Sequence, residues 1–435
     1  MIKKLVLVFI ALFAIQSYGQ NGTASPYSFY GIGSTNFKGS VENRSMGGLG
    51  IYKDSVHINF QNPATFAGNN LEGWNNESRP VKFTVGGSGT SSKLETSGSS
   101  DKTKSANFDY LALSIPVGKF GFGLGLQPYS SVGYKLENRD AEENLEYRYT
   151  GEGGLNKVFL SFGYQITKSL SVGMQADYDF GNIQNSTINF AYNDEGQFLE
   201  RQTKEYTRSD LSGLNFNIGL HYQEMITDKL ELQGSLTYTP ETDLTSKNQR
   251  TFSTIIVDVD TESELIYNQI EADLVASGLD ETDLTLPSKL SIGAGLGEPR
   301  KWFAGVEYTT QNTGDFFNPL YSNTGATYED ASKFSLGGFF IPEYNSFAKS
   351  WKRMTYRAGM RFENTGLVIN NQTIKEFGMS FGVGIPVGNM FSNANIGLEF
   401  GKRGTTNANL VKENFVSFQL SLSLNDRWFQ KRKYD

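Results

Sequence analysis

Cysteine is absent from the 435-residue chain, and histidine occurs only at His57 and His221. The first absence excludes a disulfide framework, a thiolate nucleophile, a cysteine zinc site and a lipid-modified cysteine. The second leaves little material for acid–base or metal chemistry. Nothing in the sequence asks for a cofactor or a resident metal, and an enzyme is not the expected reading. Proline is scarce, at 11 residues, and apolar residues make up only 38% of the chain. Past the first twenty positions no run approaches the ~20 apolar residues of a membrane-spanning helix. A net charge of −7 argues against a nucleic-acid partner.

The chain is rich instead in glycine (47) and in aromatics, with 32 Phe, 22 Tyr and 4 Trp. Lys3 and Lys4 precede an apolar stretch from Leu5 to Ile15, and the small residues Ser17 and Gly19 follow. This is the form of a cleaved secretory signal over residues 1–19, with maturation before Gln20. From about Val81 onward, apolar residues alternate with small or polar ones. Leu214, Phe216, Ile218, Leu220 and Tyr222 alternate with Asn215, Asn217, Gly219 and His221, and Val416 to Leu424 repeats the pattern. Successive strand side chains point to opposite faces, so each segment has one greasy and one polar or tiny face.

A secreted sandwich also alternates, but its strands are usually five or six residues long. Segments of about ten residues with an aromatic-rich face suit strands that cross a bilayer. Strands are placed near 80–90, 106–117, 120–135, 144–166, 168–192, 212–224, 229–239, 286–297, 301–310, 331–341, 353–363, 375–386, 393–402 and 414–424. The expected fold class is therefore all-β, a transmembrane antiparallel β-barrel of about 14 strands. Short connections such as Gly118–Lys119, Thr227–Asp228 and Gly388–Asn389 alternate with long ones, placing tight turns in the periplasm and long loops outside. The stretch 342–352 is longer than a periplasmic turn should be.

Residues 20–79 lack alternation and read as an N-terminal luminal hatch preceding the barrel at 80–425. Gly121, Gly123 and Gly125 share one strand face, and glycines at period two leave room for another backbone inside. The Gly293–Gly297 run reads the same way. A phosphate loop needs a following Lys-Ser/Thr and a helix, and Glu298-Pro299 follows instead. The outer loop 240–285 holds eleven acidic residues against Lys247 and Arg250. It is either a solvated loop or a lid and contact surface. Within it, Thr261 and Glu264 fit a capping box, Ile266, Ile270 and Leu274 form a stripe and Gly278 a stop, so one helix is expected there. Pro128 interrupts the third strand, which implies a bulge near the rim or an opening in the wall. Trp428 and Phe429 suit an interfacial girdle, and 426–435 reads as a periplasmic basic tail.

These residues resemble the FadL/TodX-type family of outer-membrane hydrophobic-compound transporters. The likeness rests on Arg44-Ser-Met-Gly-Gly-Leu-Gly50, Asp54-Ser55 and Asn62-Pro63-Ala64 ahead of the barrel. It extends to Leu286-Pro287-Ser288 before the eighth strand, Arg357 to Phe362, and the interruption from Gln127 to Gly133. The resemblance implies that Asn62, Pro63 and Ala64 belong to a hatch, and that Pro128, Tyr129, Ser130, Ser131 and Gly133 border a lateral opening. It implies passive uptake of long-chain fatty acids or other hydrophobic compounds by a protein of the bacterial outer membrane, among lipid and lipopolysaccharide. Some relatives of this architecture are instead non-transporting barrel subunits of secretion or assembly complexes, held to other envelope proteins. The mid-strand proline and the acidic loop depart from the transport pattern and keep that alternative open. A hydrolase would need a Ser–His pair, and neither histidine has a nucleophile motif beside it.

Overall fold

The computed structural model describes residues 22–426, apart from 36–37, 54–55, 69–80, 141, 259–260, 262, 317–324, 347–348 and 388–391. The expected signal segment, the Asp54-Ser55 pair, the Gly388–Asn389 turn and the basic tail after Asp426 lie outside the described residues. No helix among the described residues is long and apolar enough to cross a membrane, a fact that says nothing against crossing by strands.

One antiparallel sheet holds nineteen strand segments. In chain order they are β1 (Val81–Glu95), β2 (Ser100–Val117), β3 (Phe120–Pro128), β4 (Val132–Arg139), β5 (Leu145–Gln165), β6 (Leu170–Asn189), β7 (Gln202–Met225), β8 (Glu231–Thr239), β9 (Thr242–Val257) and β10 (Glu264–Glu271). The rest are β11 (Glu281–Leu286), β12 (Lys289–Glu298), β13 (Trp302–Gln311), β14 (Ala326–Tyr328), β15 (Ala331–Phe340), β16 (Thr355–Ile369), β17 (Gln372–Val387), β18 (Ser392–Arg403) and β19 (Lys412–Asp426). β1 pairs with β19 from Val81↔Asp426 to Glu95↔Lys412, which closes the sheet on itself. Four staves are broken in two (β3–β4, β8–β9, β11–β12, β14–β15) and β10 hangs on β9, so the closed barrel has 14 staves. Three of those breaks fall at Pro128, Pro240 and Pro287. A residue with no N–H to give the ladder ends a strand wherever both neighbours must be satisfied.

The alternation read from the sequence is the alternation of the wall. Leu214, Phe216, Ile218, Leu220 and Tyr222 are exposed on the outside, whereas Asn215 and His221 are buried inside. Phe120, Phe122 and Leu124, Val306 and Tyr308, and Val416 and Phe418 continue the outer band. An outward apolar face this wide has only a hydrocarbon environment to match it. The connection between β15 and β16 carries a short 3-10 turn, Ser350–Arg353, and is indeed longer than a tight turn. The pairing across it is nevertheless continuous from Phe340↔Tyr356 to Ser332↔Asn364.

The region 240–285 corrects the sequence reading. Residues 264–271 form a strand, not a helix, and pair with β9 from Glu264↔Val257 to Glu271↔Thr251. A helix there would have buried its Ile266–Ile270–Leu274 stripe against nothing. The β-branched run from Thr251 to Val257 instead supplies a ready strand edge, and pairing with it satisfies the backbone. Gly278 does adopt the left-handed conformation expected of a stop (φ +65°), but it ends the turn after Leu274. That turn is closed by Leu279 N donating to Leu274 O at 2.9 Å.

Candidate functional site

The segment before the barrel lies inside it. Its backbone passes over glycines on the inner face: a Cβ on Gly163 would come within 2.3 Å of Ala67 N, one on Gly173 within 2.3 Å of Ala64 N, and one on Gly359 within 2.2 Å of the Met46 carbonyl carbon. Gly121 and Gly123 likewise face Phe66, as their spacing implies, whereas Gly125 faces Leu111 and Phe159 of the wall itself. Asn62 N-caps the short 3-10 turn Pro63–Phe66 by accepting from Ala64 N. Its amide then donates to Leu220 O at 2.9 Å and Ser235 Oγ at 2.8 Å, which pins Asn62, Pro63 and Ala64 to β7 and β8. Other contacts carry the segment round the circumference. Val41 N donates to the Tyr110 hydroxyl on β2, Gly50 N to Glu307 on β13, Gly47 N to Ser380 on β17, and the Asn425 amide on β19 to Val56 O.

Buried charge adds a second set of ties. Lys38 reaches Glu363 at 2.8 Å and Glu376 at 2.5 Å. Glu376 also accepts from Arg361 and, at 2.5 Å, from Arg403, while Arg361 pairs with Glu399. Arg44 meets Asp109 at 3.0 Å. Asp109 reaches inward because the β1–β2 register slips between Gly86 and Gly87, which gives β2 one extra residue there. Two cations of the inner segment are thus neutralised by carboxylates of the wall.

The interruption at Pro128 is a gap in the ladder. β2 pairs with β3 only from Leu111↔Leu126 to Val117↔Phe120, and its outer part, Ser100 to Tyr110, pairs with β1 alone. β4 pairs with β5 but not with β2. Tyr129 N and Ser130 N both donate to Leu155 O, at 2.8 and 3.1 Å. That crossing is possible because Gly153 and Gly154 bulge the facing strand at φ +110° and +134°, and a Cβ on Gly154 would lie 2.4 Å from Ser130 O. Residues 22–34 cover the edge that β4 leaves open. Ser34 and Ser131 exchange both backbone bonds, at 2.9 and 3.0 Å. The Ser28 hydroxyl sits 3.1 Å from both Gly133 N and Gly133 O. Ile32 and Phe29 pack into a core with Val132, Tyr134, Leu155, Ile183 and Leu244.

Two cavities meet at Tyr129. One, of about 200 Å³, is polar and central; Asn62, Gln127, Pro128 and Tyr129 line it together with Lys38, Lys157, Asp177, Lys289, Glu307 and Lys333. The other, of about 150 Å³, lies toward the outer end and is lined by Tyr27, Tyr30, Ile32, Tyr129, Phe316, Tyr328, Leu367 and Ile374. Burial, above all, pushes the Tyr27 hydroxyl up to about 12 and also raises that of Tyr30, so both remain neutral. The expected hatch motif and the expected opening therefore share the polar chamber. The aromatic cavity was not anticipated, although Tyr27, Phe29 and Tyr30 stand close together just after the expected signal. The ion pairs were missed too, since their partners lie far apart in sequence.

His221 Nε2 lies 3.1 Å from Ile51 O, and His57 Nε2 lies 3.7 Å from Glu42.

A family model described as BamG matches residues 1–435. No curated protein matches the chain. Among solved structures it is similar to the Pseudomonas putida toluene transporter TodX, at TM-score 0.58 and 16% identity over 91% of this chain and 100% of that one. The Ralstonia pickettii toluene transporter TbuX gives 0.57 and 16% over 90% and 99%. A Pseudomonas aeruginosa FadL homologue gives 0.56 and 11% over 90% and 98%. At these identities the likeness is one of fold, and it bears out the FadL-type barrel expected from the sequence.

Proposed function

We propose, from the premise that this chain belongs to the BamG family, that it is an outer-membrane barrel admitting a small hydrophobic compound sideways through its wall. One observation carries the reading: residues of the 22–34 segment both line the aromatic cavity and cover the open edge of β4. A solute settling among Tyr27, Tyr30, Phe316 and Tyr328 touches the strap that closes its exit. Onward passage through the polar chamber would cost an apolar solute its burial. Exit beside Tyr129 leads instead to hydrocarbon, where each square ångström buried contributes about 25 cal/mol. The strap opens only if the solute binds the open state more tightly than the closed one.

Residues 1–19 act as the export signal in this reading, 20–79 as the hatch, and Pro128 to Gly133 as the rim of the exit. A cavity of about 150 Å³ is the size at which an engineered apolar site holds one benzene ring. A single-ring or short-chain compound fits it better than a long-chain fatty acid, in line with the toluene named for TodX and TbuX.

The test uses the absence of cysteine. Ser34→Cys with Ser131→Cys joins a hydrogen-bonded antiparallel pair, whose Cα separation of roughly 5.5 Å lies within disulfide range. The oxidised protein should lose at least tenfold in toluene uptake into proteoliposomes and regain it with reductant. Undiminished uptake in the locked form would remove the side exit.

A second reading, a non-transporting subunit of an outer-membrane secretion or assembly complex, is favoured by how thoroughly the inner segment is tied to the wall. Ion pairs and buried hydrogen bonds hold it to β2, β7, β8, β13, β17 and β19, which suits a fixed filling better than a moving one. Mild-detergent extraction separates the two: a lone barrel carrying a greasy solute supports uptake, and a complex of fixed stoichiometry with an empty cavity supports the subunit.

A further inference from the structure

Among the described residues, β10 is an edge strand with no partner on its free side. It pairs with β9 alone among the described residues, and all eight of its residues are exposed. The stretch of β9 that it joins starts at Thr251, nine residues past Thr242, or roughly 30 Å of strand beyond the start of β9. The outer apolar band has already ended there, so lipid does not account for its composition. Yet its side chains are greasy. Leu265, Ile266, Tyr267 and Ile270 are 66, 56, 60 and 64% exposed, and Phe252 stands beside Ile270 across the pair.

Soluble edges are ordinarily blunted with lysine, proline or a short length. β10 contains neither residue, and its one irregularity, the extra Tyr267 between Ile266 and Asn268, is held in place. Arg201 stacks on the Tyr267 ring at 4.0 Å, and Lys204 pairs with Glu264. The hairpin is therefore held at its tip and its middle, while the other edge of β10 stays open among the described residues.

Charge decides what fits. Glu264 and Glu271 bound the strand, Asp273 follows, and the whole 240–285 region carries eleven acidic residues against two basic ones. A second copy added along this edge would bring two such acidic regions together, a like-charge approach that opposes self-association.

We propose that β10 takes up, by strand addition, an extended segment of another polypeptide that is apolar in alternation and flanked by lysine or arginine. Main-chain hydrogen bonds along the free edge supply affinity, Leu265, Ile270 and Phe252 supply a greasy face, and Glu271 with the acidic excess of the surrounding 240–285 region selects the basic flanks.

The test uses the full-length protein in detergent and a fluorescein-labelled peptide of eight alternating valine and threonine residues with two lysines at each end. Saturable binding is expected, weakened at least tenfold when glutamates replace the lysines or when proline is placed mid-peptide. Hydrogen exchange should slow at β10 amides and stay unchanged in the β16–β19 wall. Ile270→Lys should abolish binding while leaving the exchange pattern of the barrel intact. Equal binding of the lysine- and glutamate-ended peptides, or binding unaffected by Ile270→Lys, would overturn the proposal. A free protein already dimeric through protected β10 amides would overturn it as well, because the occupant would then be a second copy.

Discussion

Glu376 holds three cations at once, Lys38 from the inner segment and Arg361 and Arg403 from the wall. Removing one member of a buried ion group leaves the others short of counter-charge, which costs about 3–5 kcal/mol. Glu376→Gln should lower the stability of the detergent-solubilised barrel in urea by that amount, and Glu376→Met combined with Arg361→Met should recover much of it. A single variant as stable as the parent would show that the group is not closed. Tyr27 offers a different handle. Burial raises its hydroxyl from 10.0 to about 12, so the folded state holds the proton more tightly than the unfolded one. Its contribution is intact below pH 10 and is lost as pH climbs toward 12. Hydrogen exchange at residues 22–34 should stay constant from pH 6 to 9 after correction for intrinsic rates, then lose protection above 10. Tyr27→Phe should flatten that alkaline loss. The inward direction of Arg361, Glu376 and Glu399 was legible from period two. Their partners were not, because Lys38 and Glu376 lie 338 residues apart in the chain.

Among the elements, the staves were the most readable, since a two-residue period sustained over eight to twelve positions fits an extended strand and no helix. β7 shows the limit of that reading. It runs to 24 residues, well beyond the expected 212–224, because past the lipid band its inner and outer faces no longer differ in polarity. The misread helix at 264–271 has the same origin: an apolar stripe says that a segment must be covered, not by what. Removing residues 248–280 and joining Lys247 to Glu281 through Asn-Gly should leave the barrel folded, because those two residues already face each other across β9 and β11. Unchanged heat-modifiable migration on gels is the expected result. Gly173→Val should act the other way. Its side chain would strike the Ala64 backbone, free the Asn62–Ser235 bond and raise exchange at residues 62–67 while the β6–β7 pairing persists.

For the whole molecule, closure and filling are separate achievements. The ladder from β1 to β19 closes without help from the inner segment, whereas that segment is tied to β2, β7, β8, β13, β17 and β19. Deleting residues 22–67 should give a barrel that still inserts but melts earlier, and single-channel recording should show a large, steady conductance through the polar lumen. A deletion variant as silent as the parent would mean that the outer loops, not the inner segment, occlude the pore.

Sequence alone determined that the chain is a transmembrane barrel of about fourteen staves, because alternation and strand length are local properties that lipid enforces residue by residue. It also located the interruption at Pro128 and, through the glycines at Gly121 and Gly123, the need for a second backbone inside. Tertiary structure decided what fills each space. That Phe29, Ile32 and Ser34 cover the edge of β4, and that Tyr27 and Tyr328 share one cavity, depend on segments far apart in the chain meeting after closure. Such meetings are set by the geometry of the closed barrel, and no local period encodes them.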